Sequence, residues 1–244
     1  MIPVNYTGFI GQRFLESNFA VYMLGIVLGA VIAYFLGSLN FGVLLSKLKY
    51  RDDVRTHGSG NAGMTNMLRT YGKAAAVATF GGDALKTIIA IVISALLTGM
   101  IGAYVAGLFC VIGHNFPIYF GFKGGKGVVT AAFTVLCLDP IVFFILLVVF
   151  ILVVVTTKYV SVASILCMLM YPMVLYNFTP NPFERIKVIF ALVISVLIIF
   201  MHRENIVRLR QGKENKISVG KSKKKAKAEA KKNESAKISE KSEN

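Results

Sequence analysis

The sequence predicts an all-α, polytopic membrane protein. It has about seven transmembrane helices, its N-terminus outside and its C-terminus in the cytoplasm. Three observations carry this. The 244 residues are 55% hydrophobic and only 16% charged, against roughly 25% charged in soluble domains. That excludes a soluble globular chain, a disordered one and a disulfide scaffold. Apolar runs long enough for a span recur along the chain, since a helix needs about 20 residues to cross ~30 Å of hydrocarbon. Finally, Lys and Arg gather in alternate loops, which orients the bundle by the positive-inside rule.

The runs lie near 19–46, 74–98, 100–120, 141–157, 160–178 and 186–201. The first starts too far in, and lacks the small-residue cleavage site, to be a removable signal peptide. A shorter run near 128–138 precedes Asp139-Pro140 and reads either as a half-helix or as the first part of a longer one. Seven spans put the termini on opposite sides. One loop set holds Lys47, Lys49, Arg51, Arg55, Arg69 and Lys73, then Lys123 and Lys126, then Lys158 and the C-terminal tail. The other holds Arg13, Arg185 and Lys187 beside Glu16 and Glu184. The first set is expected to face the cytoplasm.

Three parts follow: an extracytoplasmic segment 1–18, a membrane-embedded domain 19–212, and a tail 213–244. The net charge is +15, and the tail alone holds 11 Lys against 5 Glu. With no large apolar face, the tail is expected to be solvated and disordered or weakly helical, with attraction to anionic lipid as its functional alternative. Cys110, Cys137 and Cys167 lie inside apolar runs and read as small buried hydrophobes.

Polar residues concentrate at a few places. In Arg55–Arg69, Gly58, Gly60 and Gly63 match G-x-G-x-x-G, with Asp83 20 residues on. The dinucleotide reading fails, because no strand precedes the glycines and Asp83 lies in a membrane segment. The underlying chemistry survives: backbone N–H groups freed by glycine, flanked by Arg55 and Arg69, suit an anion. Ser59, Gly60, Asn61 and Asn66 belong to this candidate site. A second cluster runs from His114 through Lys123, Gly124, Gly125, Lys126 and Gly127. It is not a Walker A loop, yet two lysines among glycines suit phosphate oxygens. Its bland alternative is a basic membrane-flanking turn.

Within the apolar segments stand Ser38, Asn40, Asp83, Lys86, Ser161 and Ser164. Intramembrane ionisable groups are functional candidates by default. Asp83 and Lys86, three apart on one helical face, also suit a mutual ion pair, and the serines suit bonds back to their own helix. His202, Asn205 and Arg208 share a face beyond the last span. His57, His114 and His202 lack metal-ligand spacing, and neither metal nor cofactor is expected.

These residues together resemble one family: the bacterial acyl-phosphate:glycerol-3-phosphate acyltransferases. The likeness rests on Gly37-Ser38-Leu39-Asn40-Phe41-Gly42, on Arg55 followed by G-S-G-N-x-G-x-T-N, on G-H-x-x-P with G-G-K-G, and on H-R-x-N-I-x-R-L-x-x-G-x-E. It covers about residues 20–215 in order. Asn40 and Met64 depart from the family's usual residues without removing a charge. The resemblance implies transfer of a fatty acyl group from acyl phosphate to the 1-hydroxyl of sn-glycerol 3-phosphate, giving lysophosphatidic acid and phosphate. It implies a bacterial cytoplasmic membrane, a site facing the cytoplasm, membrane lipids and the acyl-phosphate-producing enzyme as partners, and no nucleic acid.

The residues agree with that chemistry. Two phosphate-bearing substrates match two Gly/basic clusters, and the helices offer apolar surface to the acyl chain. Arg55, Ser59-Gly60-Asn61 and Lys123 or Lys126 are expected to hold the phosphate. His202, Asn205 and Ser161 are the catalytic candidates; Ser38, Lys86 and His114 join the binding set. No residue pair reads as nucleophile and base, so direct attack by the glycerol hydroxyl is the simpler proposal. Its proton goes to a substrate phosphate or to His202. The rival class is a transporter of a phosphorylated solute. It would need polar groups at the centres of both halves and the internal repeat common in transporters, and no convincing repeat is visible.

Overall fold

The computed structural model describes residues 8–14, 18–181 and 184–217. Most of the expected tail and most of the 1–18 segment lie outside the described residues. Those described form helices and connecting turns, with no strand among them. The helices are α1 Gly8–Phe14, α2 Phe19–Ser38, α3 Phe41–Tyr50, α4 Met64–Tyr71, α5 Lys73–Asn115, α6 Val128–Leu138, α7 Pro140–Thr157, α8 Val160–Asn177, α9 Ile186–Met201 and α10 Arg203–Arg210. Four helical stretches are long and apolar enough to cross a membrane, or five if α9 and α10, bent by 52°, form one.

Helix α5 is two limbs. Gly99 has φ 74°, ψ −154°, outside the helical region. Lys86 and His114 would stand about 42 Å apart on a straight helix at 1.5 Å per residue, yet Lys86 Nζ lies 3.0 Å from His114 Nδ1. Thr87 and Cys110 also meet, at 3.8 Å. The second limb therefore runs back along the first, and the expected runs 74–98 and 100–120 are these limbs. The second helix stops at Asn115, short of residue 120, where a 3-10 turn Ile118–Phe120 follows.

The run 19–46 is not one span either: it breaks at Leu39-Asn40 between α2 and α3. The orphan groups at both helix ends are met by the first limb of α5. Lys86 Nζ donates to Gly37 O and Leu39 O, each at 2.9 Å. Asp83 Oδ1 accepts from Phe41 N at 3.4 Å, and Asn40 Oδ1 accepts from Val43 N. A cation thus sits at the negative end of α2 and an anion at the positive end of α3, the favourable sense for both helix dipoles.

Gly25, Gly29, Ala33 and Gly37, four apart, give α2 a stripe of small residues against α5. A Cβ on Gly37 would fall 2.3 Å from Cys110 O, and one on Gly113 would fall 2.3 Å from Tyr34 O. In lipid, helices gain little by hiding apolar surface from one another, so such close approach is a principal means of association. Val111, Ala131, Val135, Leu146, Tyr171 and Ile198 form the main core between α5, α6, α7, α8 and α9. Outward, Phe144, Val148, Leu152 and Val155 of α7 and Ile189 and Val196 of α9 stay exposed, as expected where hydrocarbon is the solvent. The predicted 141–157, 160–178 and 186–201 runs match α7, α8 and α9 closely. Helix α6, with 11 residues, is shorter than the ~20 of a standalone span, yet it leads from Gly127 among the polar loops to Asp139, which pairs with Tyr104 at the other end of the bundle.

The polar loops gather at one end of the bundle. Arg55 Nη1 donates to Phe120 O at 2.9 Å and Lys123 O at 2.8 Å, Lys126 Nζ donates to Asn205 Oδ1, and Ile217 N donates to Lys158 O at 2.9 Å. The opposite end holds Gly99 beside Gly8, and Tyr104 donating to Asp139 at 2.7 Å.

Candidate active site

Three loops build the site. The first, between α3 and α4, is organised by Asn66. Its Nδ2 donates to Val54 O at 3.0 Å and His57 O at 2.9 Å, and its Oδ1 accepts from Ser59 N at 3.0 Å. A Cβ on Gly58, whose φ is +57°, would fall 2.3 Å from that Oδ1. Only glycine permits this wrap, which places Ser59 and Asn61 on the cavity wall.

Arg55 braces this loop. Its Nε and Nη2 pair with the Asp53 carboxylate, Nη2 at 2.7 Å, while Nη1 holds the two carbonyls of the neighbouring loop. Four of its five N–H groups are thereby committed, and it lies off the cavity. The expected phosphate contact of Arg55 is corrected to a strut between loops. The Asp53 carboxyl is held below the usual range: the Arg55 hydrogen bond outweighs the upward push of burial.

The second loop, 121–127, folds over the end of α5. Gly124 N and Gly125 N donate to Asn115 O and His114 O at 3.2 and 3.1 Å. A Cβ on Gly125 would meet His114 Nε2 at 2.2 Å. Lys126 and Gly127 reach the cavity; Lys123, Gly124 and Gly125 do not. Burial, then the nearby Arg208 guanidinium, push the Lys126 ammonium down to about 8.

The third element runs from His202 to Ile217. His202 Nδ1 lies 2.8 Å from Ile198 O. A carbonyl only accepts, so Nδ1 carries the proton and Nε2 keeps a lone pair. Asn205 Nδ2 donates to Glu214 Oε1 at 2.7 Å, Ser161 Oγ donates to the same oxygen at 2.9 Å, and Arg208 Nε donates to Oε2 at 2.8 Å. These bonds outweigh the upward push of burial and hold the Glu214 carboxyl below its ordinary range. Asn215 O accepts from Arg69 Nη2 at 3.5 Å. Glu214 and Asn215, within the segment assigned by composition to the tail, line the cavity.

The cavity measures about 350 Å³. Ser59, Asn61, Asn66, Arg69, His114, Lys126, Gly127, Ser161, His202, Asn205 and Arg208 all reach it, as does Asp83. Beyond this rim Phe80, Phe133, Phe143, Leu146, Phe150 and Met168 form an apolar wall. Besides Arg55, Lys123, Gly124 and Gly125, the residues Ser38, Gly60 and Lys86 stand off the cavity. Ser38 Oγ accepts from Ile118 N at 3.4 Å. Lys86 and Asp83 form the buried ion pair that their spacing suits, at 2.7 Å, each side chain 2% exposed. Ser164 bonds back to Val160 O. Sequence reasoning missed Glu214 as a site residue, although it closes the G-x-E signature.

The family model described as glycerol-3-phosphate acyltransferase matches residues 27–212. This chain belongs to that family. The glycerol-3-phosphate acyltransferase of Alkaliphilus metalliredigens is 42% identical over 187 residues, covering 77% of this chain and 93% of the relative. That of Thermoanaerobacter pseudethanolicus is 41% identical over 194 residues, covering 78% and 95%. The crystal structure of PlsY, an integral membrane glycerol 3-phosphate acyltransferase in its glycerol 3-phosphate form, superposes with a TM-score of 0.73 at 37% identity, covering 79% of this chain and 96% of that one. Its lysophosphatidic acid form gives 0.71 at 35% identity, covering 79% and 95%. An acyltransferase of this family needs one place where a phosphate and a fatty chain meet, and the cavity joins a cationic rim to an apolar wall.

Proposed function

We propose that this acyltransferase moves a fatty acyl group from acyl phosphate to the 1-hydroxyl of sn-glycerol 3-phosphate, giving lysophosphatidic acid and phosphate. The observation that carries it is a cavity whose lining holds Lys126, Arg208, Ser59 and Asn61 together with Phe80, Phe133, Phe143 and Phe150. The glycerol 3-phosphate and lysophosphatidic acid forms of the PlsY neighbour support the acceptor and the product.

The phosphate of glycerol 3-phosphate takes Lys126, Arg208 and the side chains of Ser59 and Asn61, with Arg69 at the rim; the N–H groups of Ser59 and Gly60 are spent inside the loop, on Asn66 Oδ1 and His57 O. The acyl chain lies along the aromatic wall, at roughly 0.8 kcal/mol per buried CH₂. The glycerol oxygen attacks the carbonyl carbon, the new ester C–O bond forms, and the bond from the carbonyl carbon to the bridging phosphate oxygen breaks. The electron pair leaves on phosphate, and the hydroxyl proton goes to that phosphate or to His202 Nε2. Asn205 and Lys126 polarise the carbonyl as charge develops on its oxygen. Ser161 is held by Glu214 and acts by position, without forming an acyl ester. No cofactor is needed, because the mixed anhydride is already activated.

The bundle crosses the bacterial cytoplasmic membrane about seven times, counting each limb of α5 and the short α6. Its N-terminus is outside and its C-terminus inside, so the loop end faces the cytoplasm. Residues 1–18 are extracytoplasmic, 19–212 catalytic, and the Lys-rich tail cytoplasmic. Besides lipid, the enzyme that produces acyl phosphate is the expected partner; nucleic acid is not. Purified protein given acyl phosphate and glycerol 3-phosphate should release lysophosphatidic acid and phosphate in equal amounts. Uptake of glycerol 3-phosphate into proteoliposomes without any lysophosphatidic acid formed would favour the transporter.

A further inference from the structure

Two histidines line the cavity, and their partners differ in kind. His202 Nδ1 faces a carbonyl, Ile198 O, at 2.8 Å. His114 Nδ1 faces an ammonium, Lys86 Nζ, at 3.0 Å. The three N–H groups of that ammonium face Gly37 O, Leu39 O and Asp83 Oδ1 and the group has no lone pair, so a protonated Nδ1 at 3.0 Å would point at a cation that cannot accept from it, while a lone pair there is attracted. The Asp83 oxygen that could otherwise accept from Nδ1 is farther, at 3.5 Å, and Lys86 already holds it at 2.7 Å. The hydrogen bond of the His114 ring among the described residues is made through Nδ1; Nε2 lies beside Gly125, where a Cβ would fall 2.2 Å from it and only glycine leaves room.

We propose that His114 is a neutral imidazole locked with its proton on Nε2, and that it presents this N–H to a phosphate oxygen of the bound substrate. His202 holds the opposite tautomer and presents a lone pair. The two rings therefore divide the work: His114 donates to an anion and His202 accepts from a hydroxyl. Lys86, buried and off the cavity, is the positioning residue. Its ammonium fixes the tautomer of His114 while it holds the α2–α3 break. Asp83 neutralises that ammonium, so the His114 ring meets a compensated pair.

That His114 meets a substrate phosphate rests on the acyltransfer reading above; its tautomer does not. The chain has three histidines, so the full-length protein, ¹⁵N-labelled at histidine in detergent micelles, gives a tractable NMR spectrum assigned through His57→Gln, His114→Gln and His202→Gln. Near pH 7.5, His114 should show a protonated Nε2 and an unprotonated Nδ1, and His202 the reverse. An Nδ1-protonated or doubly protonated His114 overturns the tautomer. Addition of glycerol 3-phosphate should shift His114 Nε2, with inorganic phosphate as the minimal probe. An unmoved Nε2 at saturating glycerol 3-phosphate overturns the contact while leaving the tautomer standing. A kinetic arm separates donation from shape: His114→Gln restores an N–H near Nε2, so its KM for glycerol 3-phosphate should stay at least threefold below that of His114→Ala. Equal KM values in the two variants contradict the donor role, whatever the overall activity.

Discussion

Ser161 Oγ lies 2.9 Å from Glu214 Oε1, across 53 residues of sequence. The same oxygen takes Asn205 Nδ2 and its neighbour takes Arg208 Nε. One carboxylate thereby joins α8, α10 and the segment that leaves the membrane domain, and it compensates the cations Arg208 and Lys126 at the cavity rim. The acceptor of the Ser161 proton is a carboxylate held below its ordinary range despite burial by the bonds from Arg208, Asn205 and Ser161 itself, a weak base that positions the serine rather than activating it.

Truncation tests this latch. Removal of residues 218–244 leaves Glu214, Asn215 and the Ile217–Lys158 contact in place, and should keep kcat within about twofold in neutral detergent. Removal of 213–244 takes the carboxylate away from Ser161, Asn205 and Arg208. Hydrogen bonds to charged groups contribute roughly 1.5–3 kcal/mol each, so kcat/KM should fall at least tenfold. Equal activity of the two truncated proteins would show that Glu214 is idle.

Arg55 should behave as a strut. Arg55→Ala and Asp53→Ala each release the same brace, and each should lower kcat/KM and thermal stability together. The double variant should be little worse than either single one, since neighbouring residues that act as a unit are non-additive. A normal Asp53→Ala beside an Arg55→Ala that loses only glycerol 3-phosphate affinity would return Arg55 to direct phosphate binding.

Lys126 gives the reaction a basic limb. Its ammonium is pushed down to about 8, by burial first and Arg208 second, so it is charged below that pH and neutral above it. Affinity for the phosphate dianion is present below pH 8 and declines above it. KM for glycerol 3-phosphate should therefore rise as pH climbs past about 8. Lys126→Arg keeps the charge to far higher pH and should flatten that rise. A KM that stays level to pH 9.5 in the unaltered protein would contradict the assignment.

The buried pair at the α2–α3 break should be costly to halve. Lys86→Met leaves Asp83 uncompensated at 2% exposure, and breaking one side of such a pair costs about 3–5 kcal/mol. Thermal unfolding in detergent should fall sharply for Lys86→Met, and pairing it with Asp83→Leu should recover part of the loss. No recovery in the double variant would mean that each residue acts separately.

Much of this was legible in the chain. Apolar length alone marked α7, α8 and α9, and Gly99 sits between two runs read as separate helices. The break at Leu39-Asn40 was hidden because the groups that satisfy it, Lys86 and Asp83, lie more than 40 residues away. Composition hid Glu214: a window rich in lysine masked an acidic residue that packs against Ser161, Asn205 and Arg208. Arg55 misled for a similar reason. Its charge was visible, while the carbonyls that absorb it, Phe120 O and Lys123 O, belong to another loop. Spacing placed His202, Asn205 and Arg208 together correctly because they share a helical face.

Direct transfer between two substrates in one cavity is the central claim, and intact-mass spectrometry reaches it most directly. The protein is mixed with labelled acyl phosphate alone, quenched within the time of one turnover, and weighed before and after glycerol 3-phosphate is added. The account predicts an unmodified chain at both points, with label appearing in lysophosphatidic acid only after the acceptor arrives. An acyl adduct on Ser161, Ser38 or a cysteine, formed without acceptor and consumed on its addition, would contradict it.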